Sequence, residues 1–140
     1  MSEKVDEVLQ EEQEEMQEMV GMPFNREDMP PGSLVKKWHK DYPNSEIRGF
    51  PFPNLYIAYR SYDMKEQEDL IMERANIEIS QNREITEFEN QRLILKKCVL
   101  WPENFIERFD NNNLPGGIPK VITSYILMVS GFVDLVPEVL

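Results

Sequence analysis

From residue 55 onward the apolar positions change period along the chain, and each change marks an element. Leu55-Tyr56-Ile57-Ala58-Tyr59 is an unbroken aliphatic and aromatic run between Asn54 and Arg60, which predicts a strand. A lone strand cannot bury itself, so it pairs with a second short strand that the spacing does not locate, or it lies against helices. Helical spacing follows. Asp63 with Glu66 forms a capping box, and Leu70, Ile71, Arg74 and Ile77 carry the helix to Ile79 or Ser80. Gln81-Asn82-Arg83 breaks it. Thr86 with Glu89 opens a second helix, with Phe88, Arg92, Leu95 and Val99 on one side and Ile94 and Cys98 adjoining. Trp101-Pro102 ends that helix, because proline disfavours helical backbone in the residue before it. Pro102 then suits the first position of a short helix reaching Phe109.

After the turn-forming Asp110-Asn111-Asn112-Asn113 and the Gly116-Gly117 corner, Pro119 starts the last helix. Ile118, Val121, Ile122, Tyr125, Ile126 and Val129 fall at helical steps, and Leu127 and Met128 widen the apolar surface almost all round. This helix is expected at the centre of the core. Gly131 is its expected left-handed C-cap, with Phe132 folding back.

The first third of the chain reads differently. Val5, Leu9, Met16 and Val20 keep a helical register within a strongly acidic stretch, giving a thin apolar stripe surrounded by glutamates. Two readings stand: a solubilising tail, or a helix that orders when the stripe meets a groove. Residues 21–32, with Pro23, Pro30 and Pro31, form a linker or an extended wrap. Ser33 is the expected N-cap of a short helix through His39, and Asp41-Tyr42-Pro43-Asn44 turns the chain. Gly49-Phe50-Pro51-Phe52-Pro53-Asn54 alternates aromatic residues with proline; it is expected to be extended, its phenylalanines covering an edge of the core, with a polyproline-type recognition segment as the alternative. The fold class that results is mostly α: a single small helical domain with one or two short strands and an acidic N-terminal arm. The segments are 1–22 (acidic amphipathic arm), 23–54 (Pro-rich linker and wrap) and 55–140 (helical domain).

Composition narrows the function. At 140 residues and 41% hydrophobic, the chain holds one modest core and no separate cofactor domain. The net charge is −11, of which residues 1–20 carry −7 through eight acids against Lys4. Such a chain repels phosphate backbones and anionic lipid, so neither direct nucleic-acid binding nor membrane binding is expected. Its longest strictly apolar runs, such as Tyr125–Val129, fall far short of the ~20 residues of a membrane span. Cys98 is the sole cysteine, which excludes an intramolecular disulfide, and the first twenty residues lack a basic-then-apolar leader pattern. A soluble, intracellular protein is expected.

Catalytic groups lack partners in the sequence. The one histidine, His39, sits among Lys36, Lys37 and Lys40, which do nothing to orient an imidazole; a solvated surface side chain is expected. One histidine and one cysteine make no zinc site. Gly116-Gly117 has no lysine-serine pair behind it, so there is no phosphate loop. Asp110 and its asparagines lack the later glutamate of a calcium loop. Glu84, Glu87 and Glu89 do not share one helical face and have Arg83 and Arg92 nearby. No catalytic residue, metal ligand set or cofactor is assigned, and the chain is not expected to be an enzyme. Cys98 is read as an inert small hydrophobe, and Trp38, among lysines, as a partly exposed anchor.

The second half also resembles a known family. Tyr59-Arg60-Ser61-Tyr62-Asp63-Met64-Lys65-Glu66 is followed by an acidic helical stretch, then Lys97-Cys98-Val99-Leu100-Trp101-Pro102-Glu103, the Leu114-Pro115-Gly116-Gly117-Ile118 corner, and Ile126 leading to Ser130-Gly131-Phe132. Over about residues 55–135 this order resembles small tail-assembly chaperones and the related baseplate-hub morphogenesis proteins of tailed bacteriophages. The resemblance implies a helical, non-enzymatic protein that binds other tail or baseplate proteins, or a second copy of itself. It would act in the host cytoplasm during assembly, with the virion as a further location. The expected partner surface is Val5, Leu9, Met16 and Val20 of the arm with Trp38, Phe50 and Phe52. The alternative from another class is an acidic nucleic-acid mimic that inhibits a host enzyme.

Overall fold

The computed structural model describes residues 28–132, and in that range the chain is mostly helical around a small antiparallel sheet. The described elements run α1 (Gly32–Asp41), β1 (Ile47–Phe52), β2 (Leu55–Arg60), α2 (Met64–Gln81), α3 (Glu87–Cys98), β3 (Val99–Trp101), α4 (Phe105–Asp110) and α5 (Ile118–Val129). The sheet order is β1-β2-β3, so the apolar run found first in the sequence is the central strand.

Its missing partner is the Phe-Pro segment. β1 and β2 form a hairpin that pairs Ile47 with Arg60 at one end and Phe52 with Leu55 at the other. Pro53 and Asn54 turn the chain, and Asn54 takes a left-handed φ of 55°, the residue pair a type II turn favours. Pro51 has no N–H to give a ladder, and β1 tolerates it because it is an edge strand. Gly49 makes room for a neighbour on that strand: a Cβ there would lie 2.1 Å from the Tyr56 hydroxyl oxygen and 2.6 Å from the ring carbon that bears it. The expected boundary between a 23–54 wrap and a 55–140 domain therefore falls inside a hairpin turn, between two strands paired from Ile47–Arg60 to Phe52–Leu55.

Three other boundaries move. α1 starts at Gly32 with Pro31 at the N-cap position, so Ser33 lies in the first turn and makes no capping bond. α3 stops at Cys98, and the residues expected as its last turn, Val99–Trp101, become β3, opposite Ala58 and Tyr59. Pairing with β2 satisfies backbone groups that an exposed last turn would leave to water. α4 starts at Phe105, not Pro102; the Trp101-Pro102 peptide is cis.

The starts of α2 and α3 are where the local chemistry placed them. Asp63 accepts from the Glu66 N–H while the Glu66 side chain accepts from the Asp63 N–H, and Thr86 and Glu89 repeat the arrangement. Arg83 also donates to Glu89 at 2.6 Å; that hydrogen bond, with the one from the Thr86 backbone, holds the Glu89 carboxyl down to about 2. Asn82 ends α2 in the left-handed region, φ 51°. Gly131, at φ 90°, ends α5 in a Schellman motif: the Phe132 N–H donates to Leu127 and the Gly131 N–H to Met128, at 2.8 and 3.1 Å.

The core joins Leu55, Ile57 and Tyr59 of β2 to Leu70 of α2, Ile94, Leu95 and Cys98 of α3, Phe105 of α4, and Ile118, Ile122 and Ile126 of α5. Of the helix pairs, α3 and α5 pack on each other most extensively. The buried stripe of α3 is Gln91, Ile94, Leu95 and Cys98, one step round from the expected one; Phe88 is exposed. On α5 the isoleucines point inward, while Val121 and Met128 face solvent.

Candidate interaction surface

Residues 60–66, with Ser130 and Phe132, sit at junctions that hold α2 in place. Arg60, at the end of β2, is nearly buried and makes a two-pronged pair with Glu66, at 3.0 and 2.7 Å. The same guanidinium donates to the Ser61 carbonyl and lies 4.2 Å over the Tyr42 ring. The hydrogen bond from Arg60 draws the Glu66 carboxyl below its ordinary value, against the effect of burial. Tyr62 donates its backbone N–H to the Ser130 hydroxyl, and its ring stacks on Phe132 at 5.3 Å. Ser61 closes the hairpin through hydrogen bonds with Ser45 and Glu46. These residues tie the β2–α2 connection to the end of α5, so their work is architectural.

α2 itself is anchored on one side only. Leu70 is its one buried residue, with Ile77 half-buried on the same side. The opposite side carries Met64, Ile71, Met72, Ala75 and Ile79, all exposed; the four larger ones are 88%, 52%, 63% and 78% accessible. At 3.6 residues per turn these five fall within an arc of roughly 100°, and from Met64 to Ile79 they span about 22 Å. Scattered apolar side chains on a surface are ordinary, whereas a stripe along four turns is a candidate binding face. Glu68 lies in the middle of that stripe and Glu78 at one edge. Neither carboxylate has a hydrogen-bonding or ion-pairing partner among the described residues.

A second apolar feature is a cleft of about 450 Å³ lined by Phe88, Phe109, Leu114, Pro115 and Pro119, with Asp110 and Asn112 as polar lining. Arg92 holds the Asp110 carboxylate at 2.8 and 3.0 Å, which leaves the cleft without an uncompensated charge to recognise a charged ligand.

The residues expected at the partner surface are not gathered there. Trp38 is buried at 6% exposure, so it is a packed side chain and not an exposed anchor; a tryptophan among lysines still buries its ring when the lysines point the other way. Phe50 and Phe52 are half-buried: their rings lie 4.6 Å apart, and Phe50 packs 5.6 Å from Tyr125 of α5. They cover an edge of the core, as their alternation suggested, and offer a partner only their outer edges. Val5, Leu9, Met16 and Val20 lie outside the described residues. The sequence did contain the α2 stripe. Met64, Ile71, Met72, Ala75 and Ile79 repeat at helical steps on the side opposite Leu70 and Ile77, but reading Leu70 and Ile71 as one stripe merged the two faces.

Chemically reactive groups offer little here. His39 is exposed. Cys98 is buried, and burial pushes its thiol up to about 12, which keeps it protonated and unreactive. Among the described residues, no cluster of three or more histidine, cysteine or acidic groups could hold a metal ion, and no helix is long and apolar enough to cross a membrane.

Comparison with known proteins returns no match to a family model, a curated protein or a solved structure.

Proposed function

We propose that this chain is a non-enzymatic tail or baseplate assembly protein of a tailed bacteriophage, acting by protein–protein binding in the host cytoplasm. The observation that carries the binding half of this reading is the apolar stripe on α2, a helix face left exposed among the described residues. The assembly half rests on the order of the Tyr59–Glu66, Lys97–Glu103, Leu114–Ile118 and Ser130–Phe132 motifs. The acidic stretch 1–22, with Val5, Leu9, Met16 and Val20, is the second proposed contact.

The test is genetic. In a tailed phage carrying this gene, disruption yields particles without finished tails by electron microscopy, and a plasmid copy restores them. Finished tails in its absence would overturn the assembly reading. Partner binding that collapses steeply with added salt would instead favour nucleic-acid mimicry.

A further inference from the structure

Any apolar partner that covers the α2 stripe must also cover Glu68. That carboxylate stands among Met64, Ile71, Met72 and Ala75 with no cation to pair it among the described residues. Sealing it under hydrocarbon is unfavourable unless the partner supplies an opposite charge. The stripe is therefore selective: it rejects a uniformly apolar helix and accepts one with a cation at the matching position.

We propose that the outward face of α2 docks an amphipathic helix of a partner protein that carries a lysine or arginine in the middle of its own apolar stripe, opposite Glu68. The proposal rests on the protein-binding reading above and adds the partner's chemistry.

Two other occupants fit less well. In a second copy packed parallel, Glu68 meets Glu68. Packed antiparallel about the centre of the stripe, Glu68 faces Ala75 and again lacks a cation. The chain's own residues 1–20 would bring eight acids and a single lysine to a face that already holds Glu68 and Glu78. A partner helix of about four turns matches the length of the stripe, and a central arginine satisfies Glu68 in the fork geometry carboxylates favour. One charged position inside an apolar seam is a recognised means of fixing register and partner choice.

The test uses the full chain and two synthetic amphipathic helices of about 16 residues. They are identical except for arginine or leucine at the centre of the apolar stripe, and each carries a fluorophore for anisotropy titration. The arginine peptide is expected to bind at least about ten-fold more tightly than the leucine peptide, and Glu68→Leu is expected to reverse that order. Ile71→Asp should abolish binding of both peptides. Because it makes an acidic protein more acidic, general attraction for a cationic peptide cannot explain that loss. Ile71 is exposed, so an unchanged circular dichroism spectrum and urea midpoint confirm that the variant is folded.

Equal affinity for the two peptides, lost together in Ile71→Asp, would overturn the charge matching and leave the docking face standing. Binding that survives Ile71→Asp would remove the docking face itself. Sedimentation velocity showing a dimer that Ile71→Asp dissolves would make a second copy the occupant, against the proposal.

Discussion

α2 and α3 begin in the same way and end up in different service. Each opens with a reciprocal capping box, Asp63 with Glu66 and Thr86 with Glu89. Yet the 12-residue α3 buries Gln91, Ile94, Leu95 and Cys98, while the 18-residue α2 buries Leu70 alone. Capping chemistry decides where a helix starts; it says nothing about how many of its faces the fold will use. α3 packs its apolar residues other than Phe88 on the core. α2 hangs from Leu70 and the Arg60–Glu66 pair and keeps a second apolar face turned outward.

The most disruptive way to break this comparison is at the anchor. Leu70→Ala removes the one fully buried side chain of α2 and should cost about 3 kcal/mol, read as a lower urea midpoint. Ile94→Ala on α3 should cost a similar amount. A loss at Leu70 well under 1 kcal/mol would mean that α2 is held by something other than its inner face.

Next in size is Glu66→Gln, which leaves the buried Arg60 guanidinium without its counter-charge and should cost about 2 kcal/mol. Glu66 also gives a pH signature. Its folded pKa lies below the ordinary 4.5 because Arg60 donates to it. The stabilisation is therefore complete above that ordinary value and is lost as pH falls through the folded pKa. Urea midpoints taken from pH 6 down to pH 2 should fall less steeply in Glu66→Gln than in the parent protein; parallel curves would contradict the pairing.

Smaller again are the helix ends. Thr86→Ala removes the α3 cap and Gly131→Ala forces a Cβ into a left-handed φ of 90°; each should cost about 1 kcal/mol in chemical denaturation. No Cβ clash complicates Gly131, since nothing lies within 4 Å. The smallest effect belongs to the outer stripe: Ile71→Ser and Ile79→Ser should each change stability by less than about 0.5 kcal/mol. A loss above 1 kcal/mol at either would show that this face already packs on something within the chain.

The same contrast explains what could be read from the sequence. Signals written within a few neighbouring residues were legible: both capping boxes, the Asn82 break, the Gly131 cap and the central strand. Features decided by distant partners were not. Pro51 argues against a strand until β2 places it on a sheet edge. Val99–Trp101 continues a helical pattern until β2 offers it a ladder. Leu70 and Ile71 are equally apolar neighbours, and only the packing of α2 sends one inward and the other out. At the candidate surface the spacing of the stripe is present in the letters but its direction is not, and the charged neighbours of Trp38, which suggest a partly exposed anchor, give no sign that its ring is buried.

The most direct test of the central claim is hydrogen exchange on the full chain with and without the arginine-bearing amphipathic helix. The account predicts that binding slows exchange along α2, most from Ile71 to Ile79, while the β1–β2 hairpin and α3 stay as they were. Slowed exchange confined to residues 1–22 or to the cleft around Phe88 and Leu114, with α2 unchanged, would contradict it.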